Sequence, residues 1–142
     1  MSRRTAAANA NARAKLPDTD PAIEPCEAWL SRQDHYDRLQ MRWQRTETAL
    51  YRRRNWPKLS AAERAKFPQK LEMDALSQSM NALGDVNDKL FAALHAIGAT
   101  TRLGICAKLE VAARQDWLEE YPEFRELLAS ILLDCRALHE PK

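Results

Sequence analysis

The chain has 142 residues, 30% of them charged, with a net charge of +2 and a mean hydropathy of −0.58. That length suits one domain on the usual scale of roughly 100 to 200 residues. No stretch approaches the ~18 apolar residues of a membrane span, and the basic start has no apolar run of the secretory kind, so a cytoplasmic protein with no membrane partner is expected.

Ala (23) and Leu (18) outnumber Val (2), Ile (4) and Gly (3) by a wide margin. Ala and Leu are strong helix formers, whereas β-branched residues populate strands, so the expected fold is all-α. The net charge conceals segregation. Residues 38–70 hold ten Lys or Arg against Glu47 and Glu63, while residues 17–37 hold six acids against Arg32.

Residues 1–20 contain little to bury and read as a mobile basic arm, leaving 21–142 as a single helical-bundle domain. Pro17, Pro21 and Pro25 interrupt the chain, and Pro25 suits the first position of a helix running to about Arg54. Trp29, Tyr36, Trp43 and Leu50 recur every seven residues on that helix, with Leu39 beside them, and so form one seam. Asp34 and Arg38 are spaced for an (i, i+4) pair.

The residue before a proline is pushed out of the α region, so Trp56-Pro57 is expected to end this helix. Ser60-Ala61-Ala62-Glu63 then has the pattern of a capping box and predicts a short helix of about two turns, closed before Pro68. A long helix follows from Gln69 to Ile97. Its seam is Leu76, Met80, Leu83, Asn87, Leu90, Leu94 and Ile97, with Asn87 read first as a polar residue at the edge of a wider stripe and, as the alternative, as a buried residue that fixes register or oligomeric state.

Gly98 and Thr100 or Thr101 read as a stop followed by a new N-cap, so the chain reverses here. The next helix, Arg102 to about Gln115, is expected to bury Leu103, Ile105 or Cys106, Leu109 and Ala113, with Glu110 and Arg114 paired on its surface. The last helix starts at Pro122 and runs to about Leu138 on Phe124, Leu127, Leu128, Ile131, Leu132 and Cys135. The sum is a helical bundle with long antiparallel helices, about four main ones plus one short one.

Two stretches carry a resemblance. Ala99-Thr100-Thr101-Arg102-Leu103-Gly104-Ile105-Cys106-Ala107-Lys108-Leu109 and, some twenty residues on, Ala129-Ser130-Ile131-Leu132-Leu133-Asp134 resemble the C-terminal part of a group of small helical bacterial proteins. That group is often encoded near prophage or mobile-element genes and shares an A-T-T-x-x-G-x-x-x-K-like turn and helix before an S-[IL]-L-x-D-like closing helix. Members often carry proline where this chain has Gly98. The match spans the last third of the chain. It implies an all-helical fold and a prophage or mobile-element origin, and it brings no catalytic residue. On physical grounds alone, Thr101 is a cap, Gly104 admits a close helix neighbour, and Lys108 lays its stem along the surface with its head in water.

No catalytic, cofactor or metal site is expected, and the protein reads as non-enzymatic. His35, His95 and His139 sit in no metal-binding spacing, no glycine-rich phosphate loop exists, and Cys26, Cys106 and Cys135 match no redox motif and read as reduced core residues. Glu119, Glu120, Glu123 and Glu126 read as a solvated acidic face.

The basic middle is the functional candidate. Arg38, Arg45 and Arg52 share a heptad position about 200° from the aromatic seam. Arg42, Arg53, Arg54 and Lys58 extend the charge, and Trp56 is placed to stack on a base at a loop. The leading expectation is a small interaction protein with a protein partner or a second copy of itself, self-associating along its long seams. The alternative is sequence-nonspecific nucleic-acid binding through residues 38–70, and the same basic residues also read as a solvated face or as the mate of the acidic cluster at 119–126 in the same chain or a second copy.

Overall fold

The Ala- and Leu-rich segments between the proline breaks form the helices of the computed structural model, which describes residues 19–114 and 122–139. They are α1 (Ile23–Arg54), a 3-10 turn (Trp56–Lys58), α2 (Ala61–Arg64), α3 (Pro68–Leu94), α4 (Arg102–Arg114) and α5 (Pro122–His139). The fold is all-α, with four substantial helices and no strand among the described residues. Residues 1–18 of the expected basic arm, and Glu119 and Glu120 of the expected acidic face, lie outside those residues.

α1 and α3 lie antiparallel along their seams. Trp29 Nε1 donates to the Asn87 carbonyl (3.2 Å), Asn87 Nδ2 donates to the Trp29 carbonyl (3.0 Å), and further out Arg42 meets Glu72 at 2.8 Å. Asn87 is thus a buried cross-helix bridge, 4% exposed, rather than an edge residue. The long seams meet inside one chain.

α4 runs parallel to α1, starting beside Asp20 and ending where Arg114 meets Asp34 (2.9 Å) and Asp37 (2.7 Å). Those acids take the place of Glu110 as partners of Arg114, and Asp34 is therefore spent on α4 rather than on Arg38. Hydrogen bonding from Asp34 is the largest influence raising the Arg114 pKa further, and Asp37 adds to it. α5 returns antiparallel to α4.

The main core joins Cys26 and Trp29, Phe91 and Leu94, Ile105 and Val111, and Leu127 and Ile131, one pair from each helix. Burial pushes the Cys26 thiol up to about 11, so it stays protonated and inert. Cys106 and Cys135, expected in the core, are exposed.

Beyond Asp37, α1 has left α4 behind and packs on α3 and the connecting turn. This second part of the hairpin has its own small cluster of Leu50, Trp56 and Met73, flanked by Trp43, Leu59 and Phe67. Residues 38–54 of α1 span about 25 Å, so the molecule is a four-helix head with a two-helix arm. The arm carries most of the basic segment.

Local signals account for most boundaries. Asn55 adopts the left-handed region (φ 54°, ψ 41°) and closes α1 one residue before Trp56, so an asparagine cap, not the restriction before Pro57, ends the helix. The Ser60 capping box forms with both of its bonds, although α2 spans four residues rather than two turns. Pro68 takes the first position of α3. α1 begins at Ile23, ahead of Pro25, because the Asp20 side chain and carbonyl accept from the Ala22 and Ile23 amides and close the preceding turn.

α4 is rotated relative to expectation. Leu103 is 72% exposed and Cys106, Leu109 and Ala113 also face outward, while Gly104, Ile105, Lys108, Val111 and Ala112 are buried. On α5, Leu128, Leu132 and Cys135 likewise face outward, beside the buried Phe124, Leu127 and Ile131.

Candidate functional site

The polar group that turns α4 is built around Asp20. Its Oδ2 accepts from the Thr100 amide (3.0 Å), the Thr101 amide (2.8 Å) and the Thr101 hydroxyl (2.7 Å), and its Oδ1 accepts from the Ala22 amide (3.0 Å). Thr101 Oγ1 in turn accepts from the Gly104 amide at 3.2 Å, as an N-cap should. Gly104 does admit a close neighbour, but that neighbour is a carboxylate and not a helix: a Cβ there would lie 1.9 Å from Asp20 Oδ2. Asp20 therefore belongs to the fold and not to an N-terminal arm.

One turn on, Lys108 is wholly buried rather than snorkelling. Its Nζ donates to Ser130 Oγ (2.8 Å) and Asp134 Oδ2 (2.7 Å), and the same Asp134 oxygen accepts from the Ala99 amide (3.0 Å). Thr100, Thr101, Gly104, Lys108, Ser130 and Asp134 come from two stretches of the sequence, residues 99–109 and 129–134, and all of them meet here. Every hydrogen-bond partner in the cluster is a protein group, so it fastens α4 and α5 to the start of α1, and a cleft lined by Pro21, Ile23, Glu24, Glu27 and Leu103 opens beside Asp20 and Thr101. Among the described residues, no group of three or more His, Cys, Asp or Glu could hold a metal ion.

The exposed chemistry lies on the arm. Arg38, Arg45, Arg52 and Arg53 are exposed on α1 and have no carboxylate partner among the described residues. At 100° per residue they occupy an arc of about 100° opposite the seam. Arg42 lies in the same arc and pairs with Glu72 in the open, where such a pair contributes about 0–1 kcal/mol and opens readily. Ala49 sits among these side chains, and its small size leaves a shallow depression bordered by Arg45, Arg52 and Arg53 along with Met41, Gln44 and Thr48. A second depression continues around the helix past Arg45 and Arg53 to Arg54 and Gln69.

Not every candidate joins this face. Arg54 turns over the Phe67 ring, 5.9 Å from its centroid, and Lys58 is exposed on the 3-10 turn beyond. Trp56 drops out as a stacking platform. It is 4% exposed, Phe67 packs edge-on at 5.9 Å, and the Arg64 guanidinium lies over its ring at 5.1 Å while donating to the Trp56 carbonyl. The 3-10 turn rolls this ring inward, where it fills the small cluster that holds the arm together. Ala49 and Thr48 had no motif to mark them; their signal is the position between Arg45 and Arg52/Arg53 on a helical wheel.

No family model, curated protein or solved structure matches the chain. No helix among the described residues is long and apolar enough to cross a membrane.

Proposed function

We propose that this protein is a non-enzymatic interaction protein whose working surface is the arginine face of the arm, and that this face takes the phosphate backbone of a nucleic acid without reading its sequence. The observation that carries the reading is a row of exposed guanidinium groups without carboxylate partners among the described residues, set on a projecting helical hairpin. A solvated face evolved only for solubility would mix signs, and Glu47 is the sole acid between Arg38 and Arg54. The resemblance of the last third sets this activity in a prophage or mobile-element context.

Binding of a fluorescent 20-base-pair DNA to the full chain tests the reading. Affinity should fall by about tenfold or more when Arg45 and Arg52 are both replaced by Glu, and by roughly 200-fold between 50 and 200 mM salt for the native chain. Both residues are exposed on the side away from the seam, so the melting temperature should hold. An affinity indifferent to the double replacement and to salt would remove the proposal.

A second reading, self-association, rests on a different surface. Since the long seams are occupied within the chain, a second copy would meet Leu128, Leu132 and Cys135, which share one outward stripe of α5. A solution mass above 16.3 kDa that returns to the monomer value on Leu132→Asp supports it; a monomer at high concentration refutes it.

A further inference from the structure

Resting on the nucleic-acid reading above, we infer that the arm is built for a double-stranded backbone rather than a single strand. Two separate features of the arm lead to this.

The first is the absence of a stacking surface among the described residues of the arginine face. Non-specific single-strand binders gain about 1–3 kcal/mol per base from aromatic rings. Trp56 is enclosed by Phe67 and Arg64, and Trp43 is half-buried against the distal cluster. Tyr51 is exposed but lies roughly 100° or more around the helix from Arg45, Arg52 and Arg53. A strand laid along the arginines meets methylene stems and guanidinium groups but no aromatic ring on which a base can stack.

The second is the arrangement of the cations. Arg38, Arg45 and Arg52 repeat every seven residues, about 10 Å apart along the axis. Arg42 and Arg53 form a parallel row about 40–100° away, with Ala49 between the rows. This array is held on a helix whose opposite face is packed against α3, so its spacing is fixed. A duplex presents phosphates at equally fixed positions on two strands, with one charge per about 1.7 Å of axis. A single strand would have to give up chain entropy to match the same array, and here no base stacking offsets that loss. Rigid array and rigid ligand suit each other.

The test compares the full chain on a 20-base-pair DNA duplex and on one of its strands alone, at several salt concentrations, with the native sequence and with Tyr51→Ala. The duplex should bind about tenfold more tightly, with a log affinity against log salt slope near −4, about 0.9 for each of four to five engaged arginines. Tyr51→Ala should change neither affinity. Equal or tighter binding of the single strand, or a Tyr51→Ala loss confined to it, overturns the duplex inference while leaving the nucleic-acid reading in place. Absence of salt-dependent binding to either probe overturns that reading itself.

Discussion

Asp134→Ala is expected to cost the fold about 3–5 kcal/mol, because it strands a buried ammonium. Lys108 has no exposed side-chain surface and donates to Ser130 Oγ and Asp134 Oδ2. With the carboxylate gone, the hydroxyl of Ser130 is the remaining partner, and it carries no charge to offset the desolvated one. The Ala99 amide, which donates to the same oxygen, is orphaned as well. In a domain of this size the loss should lower the melting temperature by about 10 °C or more.

The companion experiment separates charge from shape. Lys108→Met together with Asp134→Leu removes both charges, and replacing a buried pair by apolar residues of similar volume is often neutral or stabilising. The double variant should therefore melt well above Asp134→Ala, held below or near the native value by the unpaired Ala99 amide at about 1–3 kcal/mol. If Asp134→Ala melts within a degree or two of the native chain, Lys108 is not held by this pair.

Gly104→Ala is expected to destabilise by roughly 2–4 kcal/mol, even though alanine is the better helix residue by about 1 kcal/mol. The added Cβ would sit 1.9 Å from Asp20 Oδ2 and 2.5 Å from its Cγ. Asp20 cannot yield without releasing the Thr100 and Thr101 amides, which lead into α4 and hold its N-cap residue in place. In an Asp20→Ala background the obstruction is gone, and the same Gly104→Ala change should become neutral or stabilising. That reversal of sign in a double-mutant cycle is the measurement; equal costs in both backgrounds would break the link between Gly104 and Asp20.

The same carboxylate has a pH signature. Burial pushes the Asp20 carboxyl up, but the Thr101 hydroxyl and the Ala22, Thr101 and Thr100 amides together outweigh it and hold the group below the usual range. A carboxyl depressed in the folded state adds stability above its unfolded pKa of about 3.9 and loses it as pH falls through the folded value. The advantage of the native chain over Asp20→Ala should thus be full near neutrality and shrink below about pH 4.

Much of the fold is legible in the residues. Proline and capping positions place the helices, and the heptad run from Trp29 to Leu50 identifies the buried side of α1. The rotation of α4 was hidden because its apolar residues, Leu103, Ile105, Leu109 and Val111, suit more than one face. What chose among them is polar. Asp20, more than eighty residues away from Gly104 in sequence, approaches a position that tolerates no Cβ, and Lys108 is drawn inward by two side chains of α5. Burial of lysine runs against every local expectation, so only the assembled partners reveal it.

The candidate site divides in the same way. That Arg38, Arg42, Arg45, Arg52 and Arg53 share a face opposite the seam follows from their spacing on a helix, and the helix follows from composition. Whether they were paired could not follow, since ion pairing depends on which acids the other helices bring near. Glu72 reached Arg42, whereas Asp34 and Asp37 were taken by Arg114. Trp56 illustrates the limit most plainly, because a tryptophan beside a proline in a basic loop reads as exposed until the 3-10 turn and Phe67 enclose it. Helix content, seam and charge distribution were thus determined by the sequence alone, being set by neighbours within a few turns. The orientation of α4, the interior of Lys108 and the ion pairs of Arg42 and Arg114 were decided by the tertiary structure, because each depends on groups that only folding brings together.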